Sequence, residues 1–230
     1  ALAATAHRHG VPLVVDAAWA GHFGFHPDLP PHALAAGADA LVISAHKALT
    51  ALNQGAIVLA RTERIDPARF AASVEATATT SPSGAVLASI DLARALLQTQ
   101  GAELVGATLD AVVAARARLE QVEGLTVLQG PGVDPLKLVV GLSGAGADGV
   151  AVERDLVAAG HPVELADRDT VVAMVTLADR AQDVLGFADL LARTVERHRG
   201  AARPVTPQLV WTRQPEIGRA SCRERVLYTV

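Results

Sequence analysis

The chain of 230 residues is 50% hydrophobic and 19% charged, the proportions of a globular protein with one large or two smaller domains, which excludes disorder over most of its length. A formal charge of −4 argues against a general polyanion binder, so nucleic acid is not an expected partner. No apolar run reaches the roughly 18 residues that a membrane span needs and no secretory leader pattern opens the chain, so neither a membrane partner nor export is expected and the cytoplasm is the expected compartment. The single Cys222 excludes an internal disulfide and a cysteine-based zinc site.

In chain order, the apolar run at 11–15, ending at Asp16, and a second at 40–43 read as strands buried on both faces, as in parallel sheets. Between them 31–36, closed by Gly37, reads as a short helix. Residues 55–60 give a third strand. Apolar residues then take helical spacing, with Leu92, Leu96 and Leu97 in a helix over 83–100 and Leu104, Leu109 and Val112 in another over 101–123. After Gly124 the pattern changes to short strands at 125–128, 137–141 and 171–176, alternating with helices at 149–159 and 180–199. This change predicts a partial large domain over 1–123, a smaller α/β domain over 124–200 and a tail over 201–230. The chain enters a strand pattern soon after Ala1, so it is expected to begin within a domain. Residues 216–230 crowd Arg219, Arg223, Glu224 and Arg225 into a stretch with no amphipathic period, similar to a translated sequencing-adapter read-through. Cys222 and Tyr228 are set aside with them.

Of the 20 basic residues only Lys47 and Lys137 are lysines, against 46 alanines. Ordinary surface charge is the usual fate of lysine. In open parallel sheets, however, ligands sit beyond the carboxyl ends of the strands. Those ends are Asp16-Ala-Ala-Trp19 and Ser44-Ala-His-Lys47. A primary amine is the one side-chain group that forms an imine with an aldehyde cofactor. A neighbouring carboxylate can pair with a pyridinium nitrogen and keep the ring an electron sink. Together they suggest pyridoxal phosphate.

The stretch Val14-Val-Asp-Ala-Ala-Trp-Ala-Gly-His-Phe-Gly-Phe-His-Pro27, with Ala38-Asp-Ala-Leu-Val-Ile-Ser-Ala-His-Lys47, Thr79-Thr-Ser-Pro82 and Ala88-Ser-Ile-Asp-Leu-Ala93, resembles the Orn/Lys/Arg decarboxylase family of fold-type I pyridoxal-phosphate enzymes. The likeness continues through Asp134-Pro-Leu-Lys-Leu138 and Val163-Glu-Leu-Ala-Asp167, covering roughly residues 5–200. It implies an α/β fold: the C-terminal part of a fold-type I large domain followed by a smaller α/β domain. It implies Lys47 as the Schiff-base lysine, Asp16 as partner of the ring nitrogen, Ala18 against the ring, and Ser44 and His46 on the phosphate. Trp19 would reach the phenolic oxygen or simply pack nearby, and Thr79 or Thr80 would touch the phosphate across a dimer interface. Lys137, within the smaller domain, is not expected to be the lysine that forms the imine. His22 and His26 have metal-ligand spacing only on a helix, and the Phe-Gly-Phe between them reads as irregular, so no metal is expected. Three positions depart from the family pattern: Ala17, the order Ala20-Gly21, and Gly84. The implied activity is pyridoxal-phosphate-dependent decarboxylation of lysine, arginine or ornithine, a lyase reaction of polyamine metabolism, by a homodimer or higher homo-oligomer, with the fragment inactive alone. Transamination, aldol cleavage and a non-catalytic remnant of the fold are the alternatives, because fold alone fixes no reaction.

Overall fold

The computed structural model describes residues 2–130 and 132–204. The tail segment 216–230, with Cys222 and Tyr228, lies outside the described residues. A short helix, α1 (Leu2–Arg8), precedes a three-stranded sheet of β1 (Val14–Asp16), β2 (Ala40–Ser44) and β3 (Ala56–Ala60), in that order. β1 and β2 are parallel, with Asp16 opposite Val42, and the N–H of Ala17 extends the ladder to the Val42 carbonyl at 2.8 Å. β3 returns antiparallel, placing Ser44 opposite Ala56. The connection holds only α2 (Ala45–Ala48) and a short loop, too little chain for the crossover of a dozen or more residues that a parallel return requires.

Alternation along β2 sends Leu41 and Ile43 into the core while Val42 stays 40% exposed. Val14 and Val58 are likewise exposed, while Ala40 on the same face is 4% exposed, so this face of the sheet is largely open. The expectation of strands buried on both faces is corrected to burial on one. The expected helix at 31–36 is also corrected. Residues 33–37 form turns, closed by the Ala36 N–H on the His32 carbonyl at 3.0 Å. One turn after two prolines has too few internal bonds to offset the cost of helix nucleation.

α3 (Pro67–Thr77), not anticipated from the periodicity, is capped by Asp66, whose carboxylate accepts from the N–H groups of Ala68 and Arg69. The two helices expected over 83–123 are one, α4 (Gly84–Leu119), of 36 residues and about 54 Å. Its buried stripe of Ala93, Leu97, Gly101, Val105, Leu109, Val112 and Leu119 follows a single 3.6-residue period straight through Gly101. Beyond it stands a second sheet, ordered β4 (Thr126–Val127), β5 (Lys137–Gly141), β7 (Thr170–Met174), β6 (Leu165–Ala166), antiparallel throughout. Leu138, Val140, Val171 and Ala173 alternate inward. They share the core with Val152 and Leu156 of α5 (Gly149–Ala158) and with Val184, Ala188, Leu191 and Val195 of α6 (Ala181–Arg197). α6 packs on α4, and Arg118 of α4 donates to Asp189 of α6 at 2.7 Å. Among the described residues no helix is long and apolar enough to cross a membrane.

Gly101 generates a stability prediction. A Cβ there would meet Phe25 at 3.4 Å and Leu97 at 3.5 Å, ordinary contact, in a position with helical backbone. Gly101→Ala is therefore expected to stabilise the chain by about 0.5–1 kcal/mol through helix propensity, read as a raised urea midpoint at unchanged slope. A lower midpoint would show that the helix needs closer approach at Phe25 than this geometry allows.

Candidate active site

Parallel pairing points the carboxyl ends of β1 and β2 the same way, so Asp16 and Ser44 finish at one edge and on one face of the sheet, two residues out of step. β2 passes directly into α2, which carries His46 and Lys47. Two donors lock this turn onto one carbonyl: the Ala45 N–H and His46 Nδ1 reach the Gly55 oxygen at 2.8 and 2.9 Å. The tautomer is thereby set with the proton on Nδ1, and Nε2 has no partner among the described residues. A Cβ at Gly55 would stand 3.1 Å from both Ile90 and the Leu52 carbonyl, so a larger residue there would press on its neighbours. Asp16 Oδ1 accepts from the Ala18 N–H at 3.0 Å, which orients an exposed carboxylate. The Ser44 hydroxyl makes no capping bond.

Ala18 and Trp19 follow, both half-buried. Lys47 Nζ lies 5.5 Å from the centroid of the Trp19 ring, and Lys137 Nζ lies 4.7 Å from it. The two lysines of the chain thus meet at one indole. Lys137 opens β5, and the turn before β5 meets the loop after β1 through Asp134 and His22. Lys137 Nζ donates to Asp134 Oδ2 at 2.7 Å, while Asp134 Oδ1 lies 3.1 Å from His22 Nε2. His22 is 3% exposed and its Nδ1 has no partner among the described residues. Burial alone would raise the Asp134 carboxyl, but the hydrogen bonds and charges of His22 and Lys137 outweigh it and hold the group down to about 2. Beneath, buried Arg116 of α4 donates through Nη2 to the carbonyls of Pro135 and Lys137, both at 2.9 Å. Desolvation lowers the pKa of that guanidinium, opposed by the nearby charges of Asp134 and Glu120.

Thr79 and Thr80 lie exposed on the approach to α4. Thr79 Oγ1 accepts from the Ser81 N–H at 3.2 Å, and neither threonine bonds to the strand-edge residues. His22 Nε2 lies by Asp134, and His26 Nδ1 accepts from the Asp28 N–H at 3.1 Å. The sequence marks Asp134 and Lys137 only as part of the family likeness, with no role beside Trp19, and gives no sign of Arg116. The Asp-x-x-Lys spacing was a local sign of an ion pair, but nothing in it pointed to Trp19.

Replacing Asp134 by Asn keeps the shape and removes the charge, leaving the Lys137 ammonium at 15% side-chain exposure without its counter-ion. At pH 7 this is expected to cost about 2–4 kcal/mol in urea unfolding. The carboxyl titrates near 3.8 unfolded and about 2 folded, so its stabilisation is complete above about pH 4 and is lost as pH falls through about 2. The gap between wild type and Asp134→Asn should close over that acid window, and a gap that stays constant there would assign the stabilisation to another group.

The sequence model of the family described as Orn/Lys/Arg decarboxylase, major domain, matches residues 1–145. An arginine decarboxylase of Bacillus subtilis (strain 168) is 32% identical over 221 residues, 92% of this chain and 45% of that protein; the chain thus spans less than half the length of this curated relative. Among solved structures, lysine decarboxylase A from Pseudomonas aeruginosa superposes with a TM-score of 0.67 at 20% identity, over 79% of this chain and 32% of that one. The ureidoglycine-glyoxylate aminotransferase of Bacillus subtilis gives 0.65 at 16% identity, over 86% and 56%. These structures share the fold-type I architecture of pyridoxal-phosphate enzymes, and by its sequence match the chain belongs to the Orn/Lys/Arg decarboxylase family.

Proposed function

We propose that the whole protein decarboxylates a basic amino acid, arginine, lysine or ornithine, with pyridoxal phosphate as cofactor, and that this chain supplies its Schiff-base lysine, Lys47. The observation that carries the reading is that the parallel pair β1–β2 ends at one sheet edge on Asp16 and on the short helix that carries Lys47, whose amine lies 5.5 Å from the Trp19 ring centroid. Membership of the family supports it, as do relatives named arginine decarboxylase.

The donor set fits the cofactor. Lys47 has the primary amine needed to hold an aldehyde, and Asp16, held by Ala18 N–H, has a carboxylate free to face a ring nitrogen. Ser44 keeps its hydroxyl for a phosphate oxygen. His46, its Nδ1 proton committed to Gly55, donates to phosphate through Nε2 only as an imidazolium. Ala18 adds little bulk beside the ring, while Trp19 limits how far the Lys47 amine can swing. When bound, pyridoxal phosphate withdraws electrons from the substrate α-carbon so that the carboxylate can leave as carbon dioxide. Asp16 keeps the ring nitrogen protonated, because an adjacent negative charge favours the charged form. We also infer a cytoplasmic homo-oligomer in which Thr79 or Thr80 faces the site of a second copy, and a division into a partial large domain over 1–123 and a smaller one over 124–200.

Incubating this chain with pyridoxal phosphate and borohydride, then mapping the modified peptide by mass, is expected to label Lys47. In the full-length protein, carbon dioxide release from labelled arginine, lysine and ornithine should fall by at least about a thousandfold in Lys47→Ala and by on the order of a hundredfold in Asp16→Asn. Label on Lys137, or full turnover in Lys47→Ala, would remove Lys47 from the chemistry; unchanged turnover in Asp16→Asn would remove Asp16.

A further inference from the structure

We propose that Lys137 is a positioning residue that fixes Trp19 against Lys47 through a cation–π contact, so that the second sheet sets the geometry of the site on the first. This rests on the reading of Lys47 as the cofactor-bearing lysine.

Rigidity is distributed unequally between the two partners. Trp19 stands in the turns that follow β1, and its indole N–H donates to no group among the described residues. The ring has no hydrogen bond to hold it. Lys137, by contrast, opens a strand whose backbone is paired opposite Met174. Its carbonyl and that of Pro135 are clasped by Arg116, and its own N–H reaches the Asp134 carbonyl at 3.1 Å. Its amine is tied to Asp134 at 2.7 Å. An ammonium fixed at both ends and 4.7 Å from the ring centroid is inside the range of a cation–π attraction. The contact is stronger where water is partly excluded, and the Lys137 side chain is 15% exposed.

The same carboxylate secures the loop a second time. Asp134 Oδ1 meets His22 three residues after Trp19. Gly21 between them is closely packed: a Cβ would come 2.8 Å from Leu49 and 3.0 Å from Ile43, so a side chain there would make those residues shift. The loop is therefore closely packed against Leu49 and Ile43 and tied to Asp134, with both lysine amines within 5.5 Å of the indole centroid. A site built on a loop gains precision when a rigid element supports it.

The test replaces Trp211 by Phe, leaving Trp19 the only tryptophan, and compares Lys137→Met with Lys137→Arg in that background. Acrylamide quenching of Trp19 fluorescence is expected to rise about two- to fivefold in Lys137→Met, and trapping of pyridoxal phosphate at Lys47 by cyanoborohydride to slow by a similar factor. Lys137→Arg, which keeps the cation, should restore both. Should the Met variant fail to fold, Lys137→Gln keeps a hydrogen bond to Asp134 without the charge and must show the same two changes. Wild-type quenching in a folded Met or Gln variant overturns the proposal, and so does an Arg variant as impaired as Met. Label on Lys137 in the parent chain sinks the functional reading instead, and the quenching of Trp19 still decides whether Lys137 positions it.

Discussion

Parallel pairing of two very short strands is the constraint on which the site depends. β1 contributes three residues and β2 five, yet the register that sets Asp16 opposite Val42 delivers a carboxylate and an amine to one edge from segments about thirty residues apart. A slip of one residue would turn Asp16 to the core face, among Leu41 and Ile43, and Val15 outward. Burial of Leu41 and Ile43 at 0% and 4% holds the register, because each buried aliphatic side chain is worth about 1.5–3 kcal/mol. The apolar pattern of β2 thus decides where the polar groups emerge. β3 reinforces it from the other side, and Gly55, at the foot of β3, accepts both donors of the lysine turn.

The second constraint is electrostatic and runs between the two sheets. Asp134 is a largely buried carboxylate, and burying a charge is unfavourable unless other charges and donors compensate. Here Lys137, His22 and the Leu136 N–H surround it. Such a cluster adds little net stability relative to a well-packed apolar one of the same volume, but it breaks badly when one member is lost. Its effect is geometric: it ties the loop after β1 to the turn before β5, segments 112 residues apart in the chain. Arg116, reaching from the long helix α4, carries the tie through to the shared core.

Much of this architecture was legible because it follows from local periodicity. The inward alternation at Leu138 and Val140, the stripe Val184–Ala188–Leu191–Val195 and the apolar run at Leu41–Ile43 each announce their element. Gly101 misled because glycine is a common helix stop, whereas here it lies buried beside Phe25 within one continuous helix. The Pro31–Ala36 stretch misled for the opposite reason, having helical composition but length for a single turn. α3 was announced by Asp66-Pro67, an N-cap followed by proline at the first helical position, though no residue of that helix is buried to give it a periodic stripe.

The strand-edge residues were legible for a different reason: each stands immediately after its own strand, so topology alone brings Asp16, Ser44, His46 and Lys47 together. Lys137 had no such neighbour in the sequence. Its approach to Trp19 depends on how the second sheet is hung from α4, and that distance is set by a 36-residue rod whose continuity hinges on Gly101 being helical rather than a break. Within α4 the single helical period runs through Gly101 to Arg116, whose guanidinium holds the carbonyls of Pro135 and Lys137 and so steadies the strand end that brings the second lysine to the indole that the first one also approaches.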